Sequence, residues 1–277
     1  HEKPSGLTVY GTAPYKITNE EALSEVAYLQ KQLGFDIQYE SPVVSEAQIR
    51  DLEAQYDAIF LGVGIGPTSS LGIPGEDLNQ VIGAVEFIQD LRFKKHRMHM
   101  PQSVVVLGGG NTAMDAASES ARMGAEKVYL AYRRSKDAMG AYWFEYDLAL
   151  SAGVQGVFNA SPKEILEKDG NVAGVKFIKT ALENGRLSEI PGSEFVIECD
   201  MVIKATGQAK MGDFLKQIEG LTLDASQRIV VDPVHFQTSN PKYFAGGDAV
   251  NGGAEVVNGA YEGKQAALGI HQYLTGK

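Results

Sequence analysis

The chain has 277 residues, of which 44% are hydrophobic and 22% are charged, a composition that predicts one large or two moderate globular domains. Its formal net charge of -10 at pH 7 argues against a general binder of nucleic acid or of anionic membranes. The sequence contains no run of 18 apolar residues, so no transmembrane helix is predicted. Cys199 is the only cysteine. It excludes an internal disulfide, a dithiol redox centre and a cysteine-ligated metal site, and indicates a reducing, cytoplasmic compartment.

Residues 1–103 predict alternating helices and strands. Thr18 and Glu21 have the spacing of a capping box that begins a helix, and the apolar face of this helix ends at Gly34. The other elements predicted here are a strand at 35–39, a helix at 44–56, a strand at 57–64 and a helix at 81–93. The basic run 92–99 predicts a solvated linker, with a docking patch for an acidic partner as the alternative. Its histidines have no carboxylate cluster beside them, so no metal site is predicted.

The next segment, residues 103–123, carries a dinucleotide-binding fingerprint. The apolar run 104–107 predicts a strand buried on both faces, and a helix is predicted from Asn111. Between them, Gly108, Gly110 and Ala113 match the G-x-G-x-x-G/A pattern. This pattern predicts that the loop and the helix start bind a pyrophosphate with backbone N–H groups. The residues predicted to line this phosphate site are Gly108, Gly109, Gly110, Asn111, Thr112 and Ala113.

The cofactor is predicted by the end of the following strand, residues 127–132. An acidic side chain at this position binds a ribose 2′-hydroxyl, whereas arginine accommodates a 2′-phosphate. The chain has Arg133 and Arg134 here and no acid before Asp137. The sequence therefore predicts NADPH, and NADH remains the alternative.

After the fingerprint, helices alternate with short strands. A helix is predicted at 141–151. Its aromatic residues are interpreted as core, and the alternative is that they line the nicotinamide cleft. Glu145 and Asp147 are interpreted as surface charges. An antiparallel excursion follows, with strands predicted at 154–158, 160–167, 172–179 and 194–198, and a hairpin turn at 183–185. The last predicted elements are strands at 200–207, 228–232 and 243–248 and a helix at 255–274. The segments 57–64 and 200–207 share an Asp–apolar strand–Gly pattern, which suggests two crossings between domains.

Taken together, several motifs resemble the glutamate synthase small-subunit family of flavoproteins, which includes the pyridine-nucleotide half of dihydropyrimidine dehydrogenase. The motifs lie at 108–115, 132–134, 205–207 and 243–248. The segments 61–67, 71–77, 252–257 and 262–264 look closer to the dihydropyrimidine dehydrogenase branch. The resemblance covers nearly the whole chain.

The resemblance implies an α/β fold with two dinucleotide-binding (Rossmann-like, glutathione-reductase-type) domains, the NAD(P)H domain being inserted in an incomplete FAD domain. The expected boundaries are 85–205 for the NAD(P)H domain and 1–84 with 206–277 for the FAD domain. The family's FAD fingerprint and its cysteine-rich iron–sulfur segment are expected upstream of His1. The chain alone is therefore expected to bind nicotinamide nucleotide but not stoichiometric FAD. Further cofactor-binding residues expected from the motifs are Ala205, Thr206, Gly207, Gly246, Gly247, Asp248, Glu255 and Val256.

The implied activity is electron input: hydride passes from NADPH to FAD, and electrons then pass to iron–sulfur centres of a partner subunit or another domain. The cofactors supply this chemistry, so no catalytic acid, base or nucleophile is assigned. The alternative is an NADPH-binding regulatory or scaffold module without turnover.

Overall fold

The computed structural model describes residues 1–94 and 97–276, which form two compact units. Unit 1 contains His1–Tyr39 and Pro67–Gly207, and unit 2 contains Glu40–Gly66 and Gln208–Lys277. Two residues of the basic run, Lys95 and His96, lie outside the described residues. The interpretations of that run as a linker or a docking patch, and of its histidines, therefore stay predictions.

Unit 1 is built on a five-stranded parallel sheet. Its strands, in spatial order, are β2 (Val81–Gly83), β10 (Met201–Lys204), β3 (Ser103–Leu107), β4 (Lys127–Tyr132) and β5 (Gln155–Phe158). The predicted burial of β3 on both faces is confirmed, because Val104 to Leu107 are at most 1% exposed. Such double burial requires a layer on each side of the sheet.

Helices form the layer on one face of the sheet. They are α4 (Ala84–Lys94), α5 (Asn111–Arg122) and α6 (Trp143–Ser151). Phe87, Met114 and Ala117 are buried in one cluster with Val104 and Val106. The small side chains of α5 let its backbone approach the strands closely.

A second, antiparallel sheet covers the other face. Its strands are β6 (Ala160–Lys168), β7 (Asn171–Glu183), β8 (Arg186–Glu189) and β9 (Phe195–Ile197). Val175 and Phe177 of β7 are buried in one cluster with Val105 and Leu107. The predicted excursion is therefore present, but its first predicted strand is β5, which belongs to the parallel sheet.

The N-terminal segment of unit 1 is fixed by a buried network of ionisable side chains. It includes α1 (Leu7–Tyr10) and α2 (Asn19–Leu33), and the predicted capping box of Thr18 and Glu21 is present. The Tyr15 hydroxyl donates to Asp115 Oδ1 at 2.6 Å and Glu145 Oε2 at 3.0 Å. Lys16 Nζ lies 2.8 Å from a carboxylate oxygen of each. Both carboxylates are buried, so the network ties residues 15–16 to α5 and α6.

This network contradicts the interpretation of Glu145 as a surface charge. Burial raises the pKa of Asp115 above its usual value, although hydrogen bonds from Lys16 and Tyr15 oppose the shift. Two buried carboxylates this close need a cationic partner, and Lys16 supplies it.

Unit 2 has a two-stranded parallel sheet of β1 (Ile59–Leu61) and β11 (Tyr243–Ala245). Its helices are α3 (Glu46–Gln55), α7 (Gly212–Leu215), α8 (Asp248–Asn251) and α9 (Val256–Thr275). Ile49, Leu61 and Tyr243 share one buried cluster, and Phe244 and Ala266 share another. The Tyr243 hydroxyl donates to Glu53 at 2.7 Å, which ties the sheet to α3.

Three predicted elements and one interpretation of side chains differ from the structure. No strand forms at 35–39 or at 228–232, and the latter contributes only isolated bridges. The predicted helix at 81–93 is β2 followed by α4, because residues 81–83 pair with β10. The aromatic residues of the predicted helix 141–151 are not all core: Tyr146 is buried, but Tyr142, Trp143 and Phe144 are 47%, 76% and 49% exposed.

The compact units do not coincide with the expected domain boundaries. Residues 1–39 and 67–84, expected in the FAD domain, belong to unit 1. Contacts of the N-terminal segment with α4 and α5 account for its grouping: Arg92 donates to the Ile17 carbonyl at 2.8 Å, in addition to the Lys16–Asp115 pair. The assignment of each cofactor to a domain stays a prediction.

Lys16→Met should lower the free energy of unfolding by roughly 3–5 kcal/mol, since it leaves two buried carboxylates without their cation. Lys163→Met is the matched control, because Lys163 pairs with Glu189 at 3.1 Å with both side chains 45% exposed; such a pair contributes at most about 1 kcal/mol. Urea denaturation of the two variants measures the difference. Equal losses would contradict the role given to Lys16.

Candidate functional site

The fingerprint loop lies where β3 meets α5, at the carboxyl edge of the parallel sheet. Gly110 is the N-cap residue of α5 and has an extended backbone. A Cβ atom added at Gly110 would meet no protein atom within 4 Å. The space above Gly110 is therefore open to a ligand, and the first N–H groups of α5 have no helical partner of their own.

The other two glycines are required by the protein's own packing. A Cβ atom at Gly108 would lie 2.4 Å from the Ala205 carbonyl oxygen, and one at Gly109 would lie 2.6 Å from the Tyr132 ring. Gly108 thus permits the close approach of the loop to the end of β10. Of the three glycines, Gly110 is the one whose missing side chain leaves free space.

A cleft of about 530 Å³ opens at this edge. It is polar on several sides, since serine hydroxyls and two arginines are among its lining residues. Of the predicted site residues, it brings together Gly108, Gly109, Gly110, Arg133, Arg134, Ala205 and Thr206. Asn111, Thr112, Ala113 and Gly207 are not among its lining residues. Asn111 instead accepts a hydrogen bond from the Tyr142 N–H at 2.9 Å, and Ala113 is buried against the sheet.

Arg133 and Arg134 follow β4 directly and are both exposed. Neither forms a salt bridge with another residue in the described ranges. Their backbone is fixed, because the Arg133 carbonyl accepts from the Thr180 hydroxyl at 2.6 Å and the Arg134 carbonyl accepts from the Asn159 N–H at 2.9 Å. Two guanidinium groups on a fixed backbone at the cleft suit an anionic ligand.

A second wall of the cleft was missed by the sequence analysis. It is formed by the loop of residues 69–73, together with Ser161 and Pro162 of β6. The loop is held by Glu76, which pairs with Lys204 at 2.6 Å. A lysine that ends the apolar strand 201–204 was the available signal, because a charge there needs a partner.

The second group of predicted site residues lies in unit 2. Gly247 is the N-cap of α8, Asp248 begins that helix, and Glu255 is the N-cap of α9, which begins at Val256. The Gly247 N–H donates to Glu262 at 2.5 Å. The Asp248 carboxylate accepts from the Ala254 N–H at 3.3 Å. The cavity beside Asp248 measures only about 10 Å³, which is the size of a single water site.

Residues 5–263 match the pyridine nucleotide-disulphide oxidoreductase family, and this match spans both units. The chain belongs to this family. The expected family membership and fold class are thereby confirmed. The word "disulphide" in the family's description does not extend to a dithiol centre here, because the chain has one cysteine.

Within the pyridine nucleotide-disulphide oxidoreductase family, the chain is similar to the NADP(+)-dependent formate dehydrogenase subunit beta of Moorella thermoacetica, with 35% identity over 97% of this chain and 39% of that protein. It is also 35% identical to the glutamate synthase [NADPH] small chain of Escherichia coli, over 99% of this chain and 62% of that protein. The NAD-dependent dihydropyrimidine dehydrogenase subunit PreT of E. coli is 29% identical, with 99% and 61% covered. The chain thus spans less than two thirds of the length of these relatives.

Solved structures show the same fold at lower identity. FprA from Mycobacterium tuberculosis in complex with NADPH superposes with a TM-score of 0.72 at 18% identity, covering 99% of this chain and 76% of FprA. Thioredoxin reductase from Lactococcus lactis gives a TM-score of 0.71 at 18% identity, with 99% and 89% covered.

None of the helices in 1–94 and 97–276 combines the length and apolar character that crossing a membrane requires. Within the same ranges, no three or more His, Cys, Asp or Glu side chains are grouped to hold a metal ion.

Proposed function

We propose that this chain provides the NAD(P)H-binding part of a cytoplasmic, flavin-dependent oxidoreductase and that its cofactor is NADPH. The observation that carries the proposal is the cleft of unit 1. It combines an open position above Gly110 with the guanidinium groups of Arg133 and Arg134, which form no salt bridge within residues 1–94 and 97–276. Membership of a pyridine nucleotide family supports it.

Each part of the cleft suits one part of the nucleotide. The N–H groups at the start of α5 and the bare Cα of Gly110 would hold the pyrophosphate, since a helix N-terminus attracts anions. Arg133 and Arg134 would hold the 2′-phosphate as charge-assisted donors. The loop 69–73 and residues 205–206 would close the sides of the cleft and exclude water.

The flavin proposal rests on the family and on unit 2. When bound, nicotinamide and FAD would supply the hydride and single-electron chemistry, and the chain would hold and orient them. Gly246, Gly247 and Asp248 follow β11, and α9 begins at Val256; these positions suit a ligand at the end of a parallel strand. The Gly247 N–H donates to Glu262, so flavin contact with it would require Glu262 to move. We propose residues 85–205 as the nucleotide domain and the two flanking segments as part of the FAD domain.

The electron acceptor is proposed to be an iron–sulfur centre in a partner subunit or another domain. Several relatives are named as subunits of larger oxidoreductases, among them formate dehydrogenase and glutamate synthase. Cys199 is the only cysteine and is buried, and burial raises the pKa of its thiol to about 12. An acceptor of this kind therefore needs ligands from outside this chain.

Gly110→Val should abolish NADPH binding while lowering the free energy of unfolding by only about 1 kcal/mol, because its Cβ atom enters ligand space and meets no protein atom within 4 Å. The control is Gly108→Ala, whose Cβ overlaps a backbone carbonyl and should cost roughly 1–3 kcal/mol of stability. Calorimetric titration and urea denaturation measure the two quantities. Unchanged NADPH affinity in Gly110→Val would remove this loop from the site.

Replacing Arg133 and Arg134 with alanine should weaken NADPH binding by about tenfold or more per arginine, since each charge-assisted bond contributes roughly 1.5–3 kcal/mol. NADH affinity should change little, because NADH has no 2′-phosphate. Parallel titrations with both nucleotides test this. NADH is a real alternative, because one relative, PreT, is named for NAD. Equal losses of affinity for both nucleotides would overturn the assignment of NADPH.

The flavin proposal is tested with protein that carries FAD, obtained in a form extended upstream of His1. NADPH added without air should bleach the flavin absorbance, and the 277-residue chain alone should bind NADPH without stoichiometric FAD. Extended protein whose flavin NADPH cannot reduce would favour the regulatory module over the oxidoreductase.

A further inference from the structure

The carboxylate of Glu76 accepts four hydrogen bonds, three from the loop 69–73 and one from Lys204. Its Oε1 atom accepts from the Leu71 N–H at 2.7 Å and from Lys204 Nζ at 2.6 Å. Its Oε2 atom accepts from the Ser70 hydroxyl at 2.7 Å and from the Gly72 N–H at 2.8 Å. Three consecutive residues of the loop 69–73 are therefore fixed by one side chain.

Lys204 connects this carboxylate to the fingerprint side of the cleft. It is the last residue of β10 and lies opposite Leu107 of β3 in the parallel register. The next residues along each strand, Ala205 and Gly108, both line the cleft. Because Lys204 sits in the sheet between β2 and β3, its backbone cannot move without disturbing the core.

The ion pair is shielded from water, since the Lys204 and Glu76 side chains are 14% and 10% exposed. Burial raises the pKa of Glu76, but the hydrogen bonds from Lys204, Ser70, Leu71 and Gly72 prevail and lower it to about 2. The carboxylate is therefore charged at neutral pH, and the pair stays intact there. The far end of the loop is fixed separately, because the Pro74 carbonyl accepts from the Ile165 N–H of β6 at 2.9 Å.

We propose that Glu76 and Lys204 are positioning residues, which set the distance between the loop 69–73 and the fingerprint so that the cleft fits the nucleotide. This inference rests on the proposed function, because it takes the cleft to be the NADPH site. Neither residue is among those that line the cleft, so neither is expected to touch the nucleotide. Their contribution to affinity is to hold the wall of the cleft in its binding position before the ligand arrives.

A direct role for Lys204 makes the opposite prediction for one variant. If Lys204 were a phosphate ligand restrained by Glu76, then Glu76→Gln would free its charge and tighten NADPH binding. If the pair positions the loop, Glu76→Gln and Lys204→Met both release the wall and both weaken binding. The sign of the effect of Glu76→Gln therefore separates the two roles.

The experiment measures the NADPH dissociation constant at 15 °C and the melting temperature of each variant. Glu76→Gln and Lys204→Met should each weaken binding by about tenfold, or roughly 1.4 kcal/mol, and the double variant should lose little more than either single one. Lys204→Arg keeps the charge and the reach and should stay within about threefold of the unsubstituted chain.

Glu86→Gln is the matched control. The Glu86 carboxylate also fixes the chain, just before the loop 69–73. It accepts hydrogen bonds from the Thr68 hydroxyl at 2.7 Å and from the Thr68 N–H at 3.3 Å. Thr68 is not among the residues that line the cleft. Glu86→Gln should therefore leave the dissociation constant within about twofold.

Unchanged affinity in both Glu76→Gln and Lys204→Met, whatever their melting temperatures, would overturn the inference and show a purely structural pair. Tighter binding by Glu76→Gln would overturn it in favour of direct phosphate contact. If the unsubstituted chain does not bind NADPH, or if Gly110→Val binds it normally, the proposed function itself fails and this inference fails with it. Those results are distinguishable, because they do not involve Glu76 or Lys204.

Discussion

The contact between the ends of β3 and β10 determines the shape of the candidate site. The two strands pair in parallel, with Leu107 opposite Lys204, and the chain turns away from the sheet immediately after each of them. Gly108 then passes so close to the Ala205 carbonyl that a Cβ atom would not fit. Because the carboxyl ends of parallel strands share one edge, the fingerprint and the crossing segment 205–207 meet there. The arginines after β4 reach the same edge.

Unit 1 has one group of charged side chains buried behind the sheet edge and another at the cleft. Behind the sheet edge, Asp115 and Glu145 are buried and bonded to Lys16 and Tyr15. This network joins α5 and α6 to the N-terminal segment. At the cleft, Glu76 neutralises Lys204, whereas Arg133 and Arg134 are exposed and form no salt bridge with a described residue. Lys16 and Lys204, whose carboxylate partners are shielded from water, belong to the scaffold, whereas Arg133 and Arg134 at the cleft are available to an anion. Because the chain carries a net charge of -10, it repels anions in general, and a local pair of arginines attracts an anion to this one cleft.

The similarity to known proteins covers nearly all of this chain but less than two thirds of those proteins. The chain matches a pyridine nucleotide family over residues 5–263 and aligns with nearly its whole length to relatives that are considerably longer. Their names differ in the second substrate, from formate to glutamate synthesis and dihydropyrimidines. The similarity therefore shows the family, and the role in electron input is a proposal.

The sequence alone determined the features that depend on neighbouring residues. The strand–glycine–helix order of residues 103–122, the capping box of α2 and the hairpin turn after β7 follow from local patterns, because each is fixed by backbone conformation over a few residues. The fold class and the family followed from several such motifs taken together. The cleft residues Gly108, Gly110, Arg133 and Arg134 were found for the same reason.

Only the tertiary structure decided what depends on distant partners. Residues 81–83 form a strand because β10 lies beside them, and Glu145 is buried because Tyr15 and Lys16 reach it across 129 or more positions of sequence. The Glu76–Lys204 pair joins residues 128 positions apart. Local propensity contains no information on such pairs, since burial and charge pairing are settled by packing of the complete unit.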